Sequence, residues 1–294
     1  MPQPLSASMP LAAERGRVNE GPPGHAGVLV VGHGTADPVG AEETRAVARQ
    51  TAAALPAVPV ELGFLEVIGP SIGDAMQVLA AQGCRRVVVA PLLLLTAGHA
   101  RRDVPEAVVE AAKQHGLEVT QSAALGCHPE LLTLSRQRRR EALAERPPLD
   151  PAETVAVILG RGSSAADGVA QFRAWATASL AGDATIHPDF EIGFAAAARP
   201  TLDEALAAAA ARQPRRIVVQ PHLLFQGHVE HQVTDAVTRW RAKCPQIDWV
   251  QVPRLGADCH VAEALVSRAA DAARAAFGDE AAFSREKNLS PEAG

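Results

Sequence analysis

The stretch VLVVGHGT at Val28–Thr35 decides the fold, because it returns as VAVILGRGSS at Val155–Ser164. The first pair is offset by 128 residues, counted from Gly32 to Gly160. A second pair, RRVVVAPLLLLTAGH at Arg85–His99 and RRIVVQPHLLFQGH at Arg215–His228, is offset by 130 residues. A long offset that stays almost constant, with only small insertions and deletions, indicates a duplicated domain rather than a short structural repeat.

Each copy alternates apolar runs of strand length with longer Ala-rich segments. The run at residues 27–32 is continuously apolar and ends in glycine, which is typical of a strand buried on both faces of a parallel sheet. Helix signals follow it: Pro70 begins one segment, Gly83 ends it, and Asp103 is an N-cap for another. In the first copy the predicted strands are residues 27–32, 59–64, 87–95 and 117–124, and the predicted helices are residues 40–55, 70–82, 103–115 and 129–145.

Four strand–helix units per copy predict an α/β fold. We expect two similar doubly wound domains, each with a four-stranded parallel sheet flanked by helices, at residues 26–146 and 152–278. The linker between them, residues 146–151, is proline-rich. Residues 1–25 and 279–294 are rich in Pro, Glu, Ser and Lys, which predicts disordered tails.

Composition excludes several classes of function. The 294 residues include 28 Lys and Arg against 33 Asp and Glu, a net charge of −5, and only 3% are aromatic, so neither nucleic acid nor a membrane is an expected partner. Four scattered cysteines without a CxxC pair predict no disulfide framework, no iron–sulfur cluster and a reducing, cytoplasmic location. The absence of a P-loop and of a complete dinucleotide fingerprint predicts no nucleotide cofactor.

Three chemically capable side chains follow strands of the first copy. His33 follows the first strand, Glu66 the second and His99 the third. Because ligands of an open parallel sheet bind outside the carboxyl ends of its strands, we expect these three side chains to converge. In the second copy Arg161 replaces His33 and Ala196 replaces Glu66, while a histidine is retained at position 228.

Each of these residues also has a purely structural interpretation. His33 could be a turn residue that binds its own backbone, and Glu66 by itself could be a solvated loop carboxylate. His99 follows a glycine, as His228 does, and a shared turn geometry would explain that recurrence. The position of the three side chains at strand ends favours a functional role for the set.

The remaining histidines and a basic run have simpler interpretations. His228 and His231 could share a helix face and form a second metal-loading site with the nearby His222, but two partly exposed helix histidines are the favoured reading. His128 and His260 precede or begin helices, and we interpret both as local caps. The four arginines at positions 136, 138, 139 and 140 predict a solvated helix face.

The motifs GHGT, GFLE and APLLLLTAGHARRDVPEA resemble those of the class II tetrapyrrole chelatases, ATP-independent enzymes that insert cobalt, iron or nickel into sirohydrochlorin. Glu66 lies 33 residues after His33, and His99 lies 33 residues after Glu66, a spacing similar to the family's His, Glu, His set. The resemblance covers about residues 27–278 and is to the long tandem form. It implies a chelatase-like pseudo-dimer, that is, a monomer whose two repeats share one working site. It also implies a role in siroheme or cobalamin biosynthesis.

The chemistry of the set agrees with that resemblance. Neutral imidazoles suit Co²⁺, Fe²⁺ and Ni²⁺ and can accept pyrrole protons, and a nearby carboxylate can orient an imidazole. Two His and one Glu form an open site, as metal transfer requires. The macrocycle's carboxylates need cations, for which the candidates near the predicted strand ends are Arg101, Arg102, Arg161 and Arg199. The alternatives are a non-catalytic two-lobed tetrapyrrole- or metal-binding protein and a degenerate partner subunit.

Overall fold

The computed structural model of the protein describes residues 25–95 and 103–278, which form two four-stranded parallel sheets flanked by helices. The first repeat contains β1 (Ala26–Gly32), α1 (Pro38–Ala54), β2 (Val60–Phe64), α2 (Ile72–Ala81), β3 (Arg86–Pro91), α3 (Asp103–His115), β4 (Glu118–Gln121) and α4 (Pro129–Leu143). The second repeat contains β5 (Thr154–Gly160), α5 (Ala166–Leu180), β6 (Glu191–Phe194), α6 (Leu202–Ala211), β7 (Arg216–Pro221), α7 (His228–Lys243), β8 (Asp248–Gln251) and α8 (Cys259–Phe277).

The strand order is β2-β1-β3-β4 in the first sheet and β6-β5-β7-β8 in the second. The predicted fold class is therefore confirmed, and most element boundaries agree within a few residues. The third strand is shorter than predicted and ends at Pro91. Beyond it, the carbonyls of Leu93 and Leu94 accept hydrogen bonds from the loop after β4, at Leu125 and Gly126. The predicted tails lie outside the described residues, apart from His25.

The central strands are apolar on both faces because both faces are covered by helices. In β1, Leu29 and Val31 point to the cluster that α2 and α3 complete, with Met76 and Leu79 at its centre. The alternate residues of β1, beginning at Val28, point to the opposite cluster. The same two-sided pattern recurs around β5.

The last helix of each repeat packs against the other repeat. Helix α8 contributes Val261, Leu265 and Ala269 to the core beneath β1 and β3 of the first repeat. Helix α4 packs against α5 and β8 of the second repeat and places Leu132 beside the cluster around Trp175. We call α4 and α8 the exchanged helices, because each completes the apolar core of the other repeat. They join the two sheets.

The basic run on α4 is not a solvated face, and that prediction is wrong for three of its four arginines. Arg139 is 1% exposed and donates hydrogen bonds to Asp183, Gln220 and the carbonyl of Ser179, all in the second repeat. The side chain of Arg136 binds the carbonyl of residue 178, and that of Arg138 binds the carboxylate of residue 258. Only Arg140 is exposed. The run instead joins the two repeats.

Among the described helices, none combines the length and the apolar character needed to cross a bilayer.

Candidate functional site

The turn after β1 presents His33 to a loop that follows β2. The Leu65 N–H donates to the carbonyl of Gly32 (2.9 Å), and the Glu66 N–H donates to the carbonyl of His33 (3.1 Å). These two backbone bonds extend the β1–β2 pairing past the sheet. They bring His33 Nδ1 to 3.3 Å from Glu66 Oε1, so the structure joins two of the three predicted site residues.

Glycine is required immediately after His33. Gly34 has φ +97°, and a Cβ there would overlap the carbonyl oxygen of Glu66. The tight crossing of the two loops therefore fixes where both side chains begin. Both side chains remain about half exposed, at 41% for His33 and 59% for Glu66, and neither supports a core. A ligand can reach them from solvent.

His33 Nδ1 is shielded from solvent, and within the described residues it has no hydrogen-bond partner. Its 3.3 Å contact with Glu66 is an electrostatic one that lacks hydrogen-bond geometry. A small rotation of the exposed Glu66 carboxylate would complete the bond. That bond would hold the proton on Nδ1 and leave Nε2 with a free lone pair.

The second repeat keeps the backbone of this turn without its chemistry. The Ala196 N–H donates to the carbonyl of Arg161 (2.9 Å), and Gly162 has φ +92°. Ala196 stands where the first repeat has its carboxylate, and Arg161 stands where it has its imidazole. Arg161 is exposed at the carboxyl end of β5.

A loop of the second repeat lies against the first repeat's turn. Residues 222–227 link β7 to α7. The Gln226 N–H donates to Glu43 Oε2 on α1 (2.8 Å), and the carbonyl of Gln226 packs so closely on Gly40 that any side chain there would clash. Gly227 is close to Thr35, because a Cβ built on it would be 4.0 Å from Thr35 Oγ1. This packing brings the start of α7 beside the GHGT turn.

An arginine fixes that junction. Arg254 donates to Glu43 (2.6 Å) and to Glu230 (2.7 Å), and so connects the loop after β8, α1 and α7. Asp37 caps α1 through the N–H groups of Val39 and Gly40, and these hydrogen bonds, Gly40 first, lower its pKa. Arg254 and Glu43 therefore form an ion pair that crosses the two repeats.

The other predicted site residues are distributed differently. His99, Arg101 and Arg102 lie outside the described residues. Arg199 is 78% exposed and forms an ion pair with Glu204 at the start of α6.

The histidines that begin or precede helices have different roles. His228 and His231 are exposed on α7, as predicted. His128 caps α4 by accepting from the Glu130 N–H, which confirms the predicted cap. His260 is not a cap, because Asp258 occupies that position and the His260 ring contacts Glu130 instead.

His222, which the sequence places near His228 and His231 in a candidate metal-loading site, is buried in the second repeat. It stacks on Trp175 with ring centroids 3.5 Å apart, and neither ring nitrogen has a hydrogen-bond partner among the described residues. Burial lowers its pKa to about 3. His222 therefore stays neutral in the core and is not available as a rim ligand.

Residues 27–142 and residues 155–272 each match the CbiX family. The chain belongs to the CbiX family. The two CbiX matches coincide with the two sheets and their helices, so the tandem arrangement and the resemblance to the tetrapyrrole chelatases are confirmed.

Relatives of this CbiX chain are metal chelatases. This chain is 26% identical over 223 residues to the sirohydrochlorin cobaltochelatase of Priestia megaterium, and the match covers 76% of this chain and 72% of that protein. It is 27% identical over 249 residues to the sirohydrochlorin ferrochelatase of Bacillus subtilis, covering 84% and 91%. The structure of SirB from Bacillus subtilis with Fe³⁺ superposes with a TM-score of 0.73 at 25% identity, covering 89% of this chain and all of that one.

Sequence reasoning missed the junction between the repeats. Nothing in the local pattern pairs Gln226 with Glu43 or Arg254 with Glu230, because these partners lie on different elements. The available signal was Gly40, a glycine inside a helix, which often marks a close approach of another backbone. That glycine lies directly under the Gln226 carbonyl.

Proposed function

We propose that this CbiX chain inserts a divalent metal ion, Co²⁺ or Fe²⁺, into sirohydrochlorin without ATP, in siroheme or cobalamin biosynthesis. The observation that carries the proposal is the contact of His33 with Glu66 at the carboxyl edge of the first sheet. It is supported by relatives that are named for sirohydrochlorin and for cobalt or iron.

Insertion replaces two pyrrole N–H protons by one divalent ion, so two protons must leave as the ion enters. His33 is assigned as a metal ligand through Nε2, the ring nitrogen that faces away from Glu66, and the same nitrogen accepts one pyrrole proton after the ion has left it. Glu66 orients the ring and offsets the charge of the arriving ion. His99, predicted from its place after the third strand and from the resemblance to the chelatases, is assigned as the second ligand and as the acceptor of the second proton.

An incomplete ligand set suits transfer better than storage. A structural site with four protein ligands would hold the ion, whereas a set of only two His and one Glu leaves positions for water and for pyrrole nitrogens. The half-exposed state of His33 and Glu66 agrees with this requirement. Nitrogen and oxygen ligands accept several first-row ions, so metal choice follows supply as much as affinity.

The second repeat is assigned to holding the substrate. Arg161 is exposed at the strand end equivalent to that of His33, and its guanidinium can pair with a peripheral carboxylate. Arg101 and Arg102 follow His99 in sequence and are assigned to the same carboxylates. Arg199 is a weaker assignment, because its guanidinium already pairs with Glu204.

The test is metallation of sirohydrochlorin under anaerobic conditions with Co²⁺, Fe²⁺ or Ni²⁺, followed by absorbance. The expected result is a rate well above the protein-free rate with cobalt or iron. The control is His33→Ala, which should return the rate to background. Stoichiometric binding of the macrocycle with no rate above background would refute insertion and establish the non-catalytic binding protein instead.

A further inference from the structure

Three side chains that the proposed reaction does not use meet at the first turns of α4 and α8. Glu130 lies on α4, and His260 and Glu263 lie on α8. One ligand atom from each lies within 4.8 Å of the others. The closest approach, from His260 Nδ1 to Glu130 Oε2, is 2.7 Å.

This cluster lies where equivalent positions of the two repeats meet. Arg138 donates to the carbonyl of Leu255 (3.3 Å), and Arg268 donates reciprocally to the carbonyl of Leu125 (3.2 Å). These equivalences have an offset of 130 residues, which is also the offset between Glu130 and His260. A carboxylate of one repeat therefore contacts the imidazole that occupies the same helical position in the other.

The cluster carries excess negative charge when the imidazole is neutral. Two carboxylates share a small volume, and like charges at this range repel one another. The neighbouring guanidinium of Arg138 is already bound to Glu141 and Asp258. A divalent cation would neutralise the pair of carboxylates and use the imidazole as a third ligand.

We propose that Glu130, His260 and Glu263 bind one first-row divalent cation, such as Co²⁺ or Zn²⁺, which links α4 to α8. One nitrogen and two carboxylate oxygens suit these borderline ions, whereas Mg²⁺ and Ca²⁺ take all-oxygen sets. Donor atoms bound to one ion at about 2.0–2.2 Å lie about 3–3.5 Å apart, so the 2.7 Å hydrogen bond between His260 and Glu130 must open, with loss of its proton, and Glu263 must close in. The exposed Glu263 side chain has the freedom to close that distance.

Binding would cross-link the two exchanged helices. Because α4 packs on the second sheet and α8 on the first, an ion held between them ties the repeats together. A ligand that binds only the folded state stabilises it by mass action. The cation is therefore expected to raise the melting temperature in a manner that is independent of the reaction site.

The experiment titrates Co²⁺ into the full-length, metal-free chain carrying His33→Ala and His99→Ala, which removes the reaction-site imidazoles. We expect one Co²⁺ per chain and a rise in Tm of several degrees. Adding His260→Ala should abolish both effects, and adding Glu263→Gln should weaken binding at least about tenfold, as expected for one lost ligand. Adding Glu145→Gln, an exposed residue just after the end of α4 and outside the cluster, is the control and should change neither.

Two results would overturn the proposal. The first is a parent that takes up no Co²⁺, or variants at His260 and Glu263 that bind it as tightly as the parent. The second is a thiolate-to-cobalt charge-transfer band, which would assign the ion to the exposed Cys127 or Cys259. Circular dichroism and Tm in chelator confirm that each variant is folded.

This outcome is separable from that of the proposed function. Glu263→Gln in the otherwise natural chain should metallate sirohydrochlorin at the natural rate, because it leaves the reaction site intact. A parent whose cluster takes up no Co²⁺, beside normal metallation by the natural chain, would refute only the bridging cation. Normal Co²⁺ binding by the cluster without metallation would refute only the proposed reaction.

Discussion

The two repeats share one backbone but not one chemistry. Beside the first strand of each sheet, the same hydrogen bond joins the turn to the next loop, from Glu66 to His33 (3.1 Å) and from Ala196 to Arg161 (2.9 Å). The glycine that follows has φ +97° in one repeat and +92° in the other. The backbone of this turn is therefore required by the sheet, whereas the side chains it presents are free to specialise.

A second difference lies one strand away. Leu92 follows β3, and His222 follows β7, with equivalent backbone bonds to β1 and β5. Leu92 is an ordinary core residue, while His222 is buried with both ring nitrogens unpaired among the described residues. Here the second repeat carries a cost in stability that the first avoids. The contrast between the repeats can be tested by changing one repeat at a time.

The largest expected effect is on the metallation rate, through the proposed reaction site of the first repeat. His33→Ala should lower the metallation rate by about 10³-fold, because it removes a metal ligand and a proton acceptor together. The fold should survive, since the side chain is half exposed. His228→Ala changes the histidine that the second repeat retains at the position of His99, and it should have a much smaller effect. A damaging His228→Ala beside a silent His33→Ala would assign the reaction to the second repeat.

Joining the repeats depends on a buried arginine. Arg139→Met should lower the free energy of unfolding by about 3 kcal/mol, because Asp183 and Gln220 lose a buried partner. Arg140→Met is the control on the same helix, where the side chain is exposed, and should change stability by less than about 0.5 kcal/mol. Urea unfolding measures both. Equal midpoints for the two variants would show that the Arg139 network does not stabilise the fold.

The second repeat should be sensitive to acid through His222. Its pKa is about 3 when folded, below the usual histidine value of 6.5, because the ring is buried. The unfolded chain therefore binds a proton first as the pH falls, so the stability present above about pH 6.5 is lost progressively below it. At pH 5 the loss from this residue is about 2 kcal/mol. His222→Leu, which copies Leu92, should flatten the stability profile between pH 5 and pH 8, as followed by thermal unfolding.

A His222→Leu profile as steep as the natural one would mean that other groups cause the acid sensitivity. Asp183, also in the second repeat, is the group to check, because the hydrogen bonds of Thr185 and Arg139 outweigh its burial and lower its pKa. The contribution of Asp183 to the free energy of unfolding is lost at a lower pH than that of His222, when the carboxylate becomes protonated.

The smallest expected effect is on substrate affinity. Arg161→Ala should weaken binding of the metal-free macrocycle about tenfold, as expected for one lost charge-assisted hydrogen bond, with less effect on turnover at saturating substrate. Arg215→Ala, at the opposite end of the second sheet, is the matched control. Fluorescence titration measures both dissociation constants. Equal constants for Arg161→Ala and the natural chain would leave Arg161 with no role in holding substrate.

The sequence by itself determined the tandem repeat, the parallel sheets and the pairing of His33 with Glu66. These follow from local periodicity and from the rule that strand ends of a parallel sheet share one edge, and both are visible without long-range contacts. The strand-end glycines carried the same information, because their conformation is set within the turn.

Only the tertiary structure decided which sheet the last helix of each repeat packs against. The amphipathic patterns of α4 and α8 specify that each buries an apolar face, but not which sheet covers it. The same limit hid the burial of Arg139 and His222 and the meeting of Glu130 with His260, since their partners come from the other repeat or from distant elements. A side chain's neighbours across a shared core are fixed by the packing of whole layers, which no local pattern records.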